Sequence, residues 1–264
     1  MKEYGILAYP AGHSLSPVMH NAAFKEMGID AQYRVYEIPE SEFGEFLETV
    51  KHQPISGLSV SLPYKETILS HLNKLDSAAK KIGACNTVHN DGGFLYGYNT
   101  DHVGAVASIE EKVGKLDGAK VCVLGAGGAA RAIVYGLIER GAEVSIINRS
   151  EEKAHQLAEE FGANVGDFTQ GGDILVQTTS IWINGENDAT KLAPRDFVNG
   201  FDTVMDIVYK PLKTPLLAMA EDLEKQVITG EKMLLYQAAE QFKIWTGEEA
   251  PIEVMSEALM RSIS

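Results

Sequence analysis

The chain has 264 residues, 45% of them hydrophobic and 23% charged, which is ordinary usage for a folded protein and excludes a disordered, collagen-like or low-complexity chain. Lys and Arg number 23 against 37 Asp and Glu, a formal net charge of −14. Nucleic acid and anionic membrane both demand basic surface, so neither is an expected partner.

Short β-rich runs alternate with longer helical patterns from end to end, the rhythm of an α/β protein with mainly parallel strands. Residues 4–9 read as a first strand. Residues 17–27 read as a helix with Ser16 as its N-cap and Pro17 at its first position. A strand at 32–38, a helix at 42–50 and a strand at 55–62, stopped by Pro63, follow. Helical segments are expected at 65–72 and 77–82, then two short strands, 87–90 and 94–98, around the turn Asp91-Gly92-Gly93. A helix over 101–113 leads into a regular strand–turn–helix–strand stretch: 120–124, 125–128, 129–140 and 143–147. Further elements are a helix at 150–161, strands at 174–177, 203–208 and 227–228, and helices at 232–245 and 252–263.

No stretch approaches the ~20 apolar residues needed to span a bilayer. Cys85 and Cys122 suggest no disulfide framework and no signal peptide opens the chain, so a reducing cytoplasm is the expected location. Cys122 lies in an apolar run and is expected to fill core. The histidines form no metal-binding spacing, and no metal is expected.

Gly125-Ala126-Gly127-Gly128-Ala129-Ala130 matches G-x-G-x-x-A, placed between a buried-type strand and a helix as that motif requires. Gly125 permits the tight turn, Gly127 lets backbone approach a pyrophosphate, and Ala130 lets helix and strand pack closely. The helix N-terminus at Gly128 and Ala129 then offers N–H groups and partial positive charge to phosphate. At the end of the next strand an NAD site usually carries Asp or Glu. Here Asn148-Arg149-Ser150 stands there, with Lys153 one turn on. A carboxylate would repel a ribose 2′-phosphate, whereas Arg149 can pair with one, so NADP is favoured as the cofactor.

Other polar residues cluster where strands end. His13-Ser14-Leu15-Ser16-Pro17 offers two hydroxyls and a helix start, suited to a small carboxylate. Ser59, Ser61 and Lys65 follow the third strand, and Lys65 is a candidate acid or base. Asn86, Asn99, Thr100 and Asp101 add amide, hydroxyl and carboxylate groups. Together they point to a polar small-molecule site between two domains.

These pieces are similar, over essentially the full length, to the shikimate dehydrogenase family. The matching segments are Gly12–Pro17 with His20-Asn21, Val60-Ser61-Leu62-Pro63-Tyr64-Lys65, Gly83-Ala84-Cys85-Asn86-Thr87 and Gly97-Tyr98-Asn99-Thr100-Asp101. The glycine turn, Asn148-Arg149-Ser150, Asp206-Ile207-Val208-Tyr209-Lys210-Pro211 with Thr214-Pro215, and Gly230 with Met233-Leu234 and Gln237 complete them. The resemblance implies an N-terminal, mainly parallel α/β substrate domain over 1–101. It implies a Rossmann-type NADP-binding domain over 102–232, and C-terminal helices over 233–264 that pack back on the substrate domain. The implied activity is NADP-dependent, reversible reduction of 3-dehydroshikimate to shikimate, in aromatic amino-acid biosynthesis. Lys65 and Asp101 are then the acid–base pair. Ser14 and Ser16 bind the substrate carboxylate, and Ser61, Asn86, Asp101, Tyr209 and Gln237 complete the substrate site. Gly125, Ala126, Gly127, Gly128, Ala129, Asn148, Arg149, Ser150, Lys153 and Gly230 form the cofactor site. A monomer or homodimer is expected, with small molecules as the only partners. Both ligands are anionic, so counter-charge must come locally, from the helix N-terminus, Arg149, Lys153 and Lys65.

The chain departs from the family pattern at three places. Ser59 stands where many members have Asn, Gln177 replaces an Asn, and Ile181-Trp182-Ile183-Asn184 replaces a Gly-Met-like pair. Trp182 is expected either beside the cofactor or buried as packing. Two other readings remain at this level: a paralogue acting on quinate or another cyclic polyol, and a non-catalytic ligand-binding protein on the same fold. Retention of both Lys65 and Asp101 argues against the latter.

Overall fold

The computed structural model describes the chain except His13, Gly185 and Ser264, and except the side chains of Ile183 and Asn184. His13, Ile183 and Asn184, singled out in the sequence, therefore lie outside the described side chains. The chain divides into two units, Met1–Thr100 with Leu235–Ser262, and Asp101–Leu234. The breaks fall before Asp101 and after Leu234, against expected breaks after 101 and after 232, so Asp101 opens the second unit.

In the first unit, β1 (Lys2–Ala8), α1 (Ser16–Glu26), β2 (Ala31–Glu37), α2 (Phe43–His52) and β3 (Ile55–Val60) follow in turn. They are followed by α3 (Tyr64–Thr67), β4 (Lys74–Leu75), α4 (Ser77–Ile82), β5 (Thr87–Asp91) and β6 (Phe94–Tyr98). The sheet order is β2-β1-β3-β5-β6-β4. The strands β2, β1 and β3 are parallel, while β5 runs antiparallel to both β3 and β6. This register has a functional consequence. Leu7 faces Val60, Ser59 faces Thr87, and Thr87 faces Tyr98. The ends of β1, β3 and β6 and the start of β5 therefore share one edge of the sheet. Leu7, Leu47, Leu58, Val60, Ile68 and Val88 form one buried layer. An aromatic cluster of Tyr4, His20, Phe24, Tyr33, Phe242 and Trp245 forms another.

The second unit begins with α5 (Asp101–Val113), β7 (Lys120–Leu124), α6 (Gly128–Glu139), β8 (Glu143–Ile147), α7 (Glu151–Phe161) and β9 (Asn164–Val165). It continues with β10 (Gly172–Gln177), α8 (Arg195–Asn199), β11 (Phe201–Asp206), α9 (Pro215–Asp222) and β12 (Gln226–Ile228). The order is β12-β11-β10-β7-β8-β9, and every recorded pair is parallel. This is the doubly wound arrangement, with the order reversing between β7 and β10, where ligands bind beyond the strand ends. Alternate residues of β7 enter different cores. Val121 and Val123 pack with Ile133, Val134 and Ile146, while Cys122 and Leu124 pack with Leu175, Phe201 and Val204. A sheet buried on both faces explains why its strands read as unbroken apolar runs. Helix α10 (Gly230–Thr246) starts in this unit and ends in the first, and α11 (Ile252–Ile263) follows.

Candidate active site

The shared sheet edge of the first unit gathers most of the expected substrate residues. The segment after β1 carries Ser14 and Ser16. Helix α1 starts at Ser16 itself, with Leu15 in the cap position and no side-chain cap, so Ser16 is not the N-cap. Leu15 lacks the extended backbone that aims a cap side chain at the helix amides. Instead, Ser14 Oγ accepts from the Ser16 N–H at 3.3 Å. Beyond β3, the Ser61 N–H donates to Leu7 O at 3.0 Å, and the Ser61 carbonyl accepts from the Tyr64 N–H at 2.9 Å. These bonds turn the chain sharply into the half-buried Lys65. The Lys65 carbonyl in turn accepts from the Cys85 N–H at 2.8 Å, which sets this turn beside the segment holding Asn86.

Asn86 is the hub of that edge. Its Nδ2 donates to Thr100 Oγ1 at 2.9 Å and to Gln237 Oε1 at 3.3 Å. Its Oδ1 accepts from the Thr100 N–H at 2.7 Å and from Thr87 Oγ1 at 2.8 Å. Two residues outside the expected set support it. Gln241 Nε2 donates to Asn86 O at 3.1 Å and to Thr87 Oγ1 at 3.0 Å, and Gln241 Oε1 accepts from Ser59 Oγ at 2.7 Å. Ser59 Oγ in turn accepts from Tyr33 Oη at 2.6 Å. Burial pushes the Tyr33 pKa up, with the Ser59 and Ser16 hydroxyls acting against it. Gln241 lies four residues after Gln237 on α10, on the same helix face, and that spacing was the signal available in the sequence. Ser59 is thus tied into a buried network.

Asp101, Tyr209 and Gly230 belong to the second unit and are described there. Asp101 is buried at the head of α5. Tyr209 is partly buried beyond β11, and burial raises its pKa. Gly230 opens α10 against the backbone of Ile207 and Val208.

The glycine turn follows β7 at the sheet's switch point. Gly125 has φ +118, a conformation L-residues avoid, and a Cβ there would stand 2.3 Å from Thr178 Oγ1. Gly127 caps α6, and a Cβ at Gly127 or Gly128 would meet nothing within 4 Å. The space over these two glycines is therefore open, a cradle that fits a pyrophosphate on the N-terminus of a 12-residue helix. Ala126 and Ala129 flank them, and Ala130 is fully buried.

At the end of β8, Asn148 Nδ2 donates to Ser150 O at 3.0 Å, and Ser150 caps α7 by accepting from the Lys153 N–H. Arg149 and Lys153 are exposed and form no ion pair among the described residues. Arg131, in the first turns of α6, is held by Glu160 at 2.8 Å and lies 5.4 Å over the Phe161 ring. These cations stand at the start of α7 beside Glu151 and Glu152 of its first turn.

Trp182 lies in the core of the second unit, 4% exposed, with its Nε1 donating to Asp206 Oδ2 at 2.6 Å. This is the packing alternative of the two expected for it. Burial pushes Cys85 up to about 12 and Cys122 up to about 11, so neither thiol is a poised nucleophile. Among the described residues no acid, histidine and cysteine cluster could hold a metal, and no helix is long and apolar enough to cross a membrane.

Comparison with known proteins gives this geometry a family. Residues 6–88 match the shikimate dehydrogenase substrate binding domain, 107–182 the shikimate / quinate 5-dehydrogenase model, and 230–260 the shikimate 5'-dehydrogenase C-terminal domain. The shikimate dehydrogenase (NADP(+)) of Pyrococcus abyssi is 43% identical over 97% of this chain and 96% of its own. The chain belongs to the shikimate dehydrogenase family. The NADP(+) enzyme of Thermococcus kodakarensis is 41% identical over 99% of this chain and 97% of its own. A shikimate dehydrogenase crystallised with NADP+ superposes with a TM-score of 0.94 at 35% identity, covering 100% of this chain and 96% of the other. The Thermus thermophilus enzyme in complex with NADP(H) and shikimate gives 0.90 at 34%, covering 99% and 100%.

Proposed function

We propose that this chain catalyses the NADP-dependent, reversible reduction of 3-dehydroshikimate to shikimate. The observation that carries the reading is the gathering of Ser14, Ser16, Ser61, Lys65, Asn86 and Gln237 on one sheet edge of a chain in this family. Met1–Thr100 with the C-terminal helices is then the substrate domain, and Asp101–Leu234 the NADP domain.

Ser14 and Ser16, at the start of α1, bind the substrate carboxylate. Asn86, Asp101 and Gln237 hold the ring hydroxyls, with Ser61 and Tyr209 completing the pocket. Lys65 donates the proton to the carbonyl oxygen during reduction and takes it back in the reverse direction. Asp101 is its partner in that exchange. Bound NADPH supplies the hydride. The amides of Gly125–Ala129 hold the pyrophosphate, while Asn148, Arg149, Ser150 and Lys153 hold the adenosine 2′-phosphate. Gly230 shapes the wall near Tyr209. The preference for NADP is supported by Asn148-Arg149, where an acidic residue would read NAD. Two free, buried cysteines fit a reducing cytoplasm, where we place the enzyme.

The test is a steady-state assay of shikimate and quinate, each with NADP+ and NAD+. Shikimate with NADP+ is expected to give by far the highest kcat/KM. Preference for quinate would reassign the substrate, preference for NAD+ would overturn the role of Arg149, and no turnover with any pair would overturn the enzyme reading.

A further inference from the structure

Asp206 has no chemical role in the reaction above, yet its carboxylate is fully buried at the end of β11. It accepts hydrogen bonds from two separate stretches of chain, the one after β10 and the one after β11. Trp182 Nε1 donates to Oδ2 at 2.6 Å, and Thr214 Oγ1 donates to the same oxygen at 2.8 Å. The Val208 N–H donates to Oδ1 at 3.0 Å, with Gln177 Nε2 at 3.4 Å from that oxygen. Burying a carboxylate is unfavourable unless its oxygens are paired, and here burial pushes its pKa up to about 6. An apolar residue would avoid that cost but could not join the two segments.

Those segments both bear on the proposed cofactor site. Trp182 ends the stretch after β10, whose Thr178 hydroxyl donates to Leu124 O at 2.7 Å and packs directly on Gly125. Val208 and Thr214 bracket the loop that carries Tyr209. Thr214 also caps α9 by accepting from the Leu217 N–H at 3.3 Å. On its other side this loop meets Gly230, where a Cβ would stand 2.3 Å from Ile207 O. One carboxylate thus fixes both loops at the C-terminal ends of β10 and β11, beside the switch point where a dinucleotide binds.

We propose that Asp206 is a positioning residue for the cofactor: through Trp182, Val208 and Thr214 it holds the 178–182 and 207–214 loops in the form that binds NADP. The inference rests on the dinucleotide site proposed at Gly125–Ala129. Trp182 is held here by more than packing, because a phenylalanine would fill the same core and donate nothing.

Trp182→Phe and Thr214→Val each remove one donor and leave the carboxylate in place. NADPH Kd is read from the cofactor's own fluorescence, together with KM for NADP+ and for shikimate, kcat and Tm. Each variant is expected to raise NADPH Kd and NADP+ KM about five- to tenfold, as for loss of one charge-assisted hydrogen bond. Shikimate KM should stay within about twofold of its wild-type value, as expected when substrate binding is untouched. A merely structural role would lower Tm without separating the two KM values. Asp206→Asn, which keeps an acceptor but loses the charge, should show the same split; if it does not fold, the two single-donor variants decide. Unchanged NADPH Kd in both, or equal rises in both KM values, overturns the proposal. Wild-type protein that does not bind NADPH refutes the dinucleotide site first, and the positioning role with it.

Discussion

His20 gives the protein a built-in acid liability. Its imidazole is fully buried, stacked 4.6 Å from Tyr33 and tilted 5.1 Å from Trp245, and among the described residues neither ring nitrogen makes a hydrogen bond of normal geometry. Burial lowers its pKa from 6.5 to about 3, with the Gln241 side chain offsetting only part of that shift. The ring is therefore neutral in the folded protein and protonated in the unfolded chain between those values. Its contribution to stability is full above the unfolded pKa and is lost as pH falls toward the folded one. At about pH 5 the unfolded state holds the proton by about 1.5 pK units, or ~2 kcal/mol at 1.36 kcal/mol per unit. That figure hardly depends on how far below 5 the folded value lies. The perturbation is His20→Phe, which keeps an aromatic ring in the stack and removes the titration. Urea unfolding at about pH 8 and about pH 5, followed by tryptophan emission, gives four stabilities. Any packing difference cancels between the two pH values. Wild type should lose ~2 kcal/mol more than the variant on acidification, a midpoint shift of about 1 M urea. Equal pH dependence in the two proteins would show that His20 accommodates its proton in the folded state.

Asp206 predicts the opposite slope in the second unit. Its pKa is raised from 3.8 to about 6, so its contribution to stability is full below 3.8 and is lost as pH rises through 6. Wild type should lose ~2 kcal/mol relative to Asp206→Asn between about pH 4 and pH 7, and a difference near zero would place its proton elsewhere. Arg149→Ala should raise KM for NADP+ by at least about tenfold, as for a lost charge-assisted contact, and leave KM for NAD+ nearly unchanged. Equal effects on both cofactors would show that Arg149 does not read the 2′-phosphate. Gly230→Ala would drive a Cβ to 2.3 Å from Ile207 O, against backbone that cannot swing aside. A cost of about 1–3 kcal/mol is expected, seen as a Tm drop of several degrees, and an unchanged Tm would contradict the close approach.

What could be read from the chain was local. The glycine turn, the β8 end at Asn148-Arg149 and the alternation of strands with helices depend on spacing within a few residues. The strands β4 and β9 are two residues long each and leave no periodic trace. Helix α9 was not expected from the sequence: it is short and buried, so its apolar residues occupy more than one face and leave no helical stripe. The expected Ser16 cap failed because the helix already begins at Ser16, which puts Leu15 in the cap position, a one-residue difference that local sequence does not resolve. Of the supporting layer, only the four-residue spacing of Gln237 and Gln241 left a trace in the sequence. Ser59 meets Gln241 across 182 positions, and Trp182 meets Asp206 across a sheet edge. Such contacts come from tertiary packing, so sequence placed the candidate residues on their loops but not the groups that hold them.

We propose Lys65 as the proton carrier of the ketone reduction. The most direct measurement is kcat for shikimate with NADP+ in wild type and Lys65→Ala, with shikimate binding measured alongside. A fall in kcat of about 10²–10⁴, with binding little changed, is the predicted result. Near-normal turnover in Lys65→Ala would contradict it.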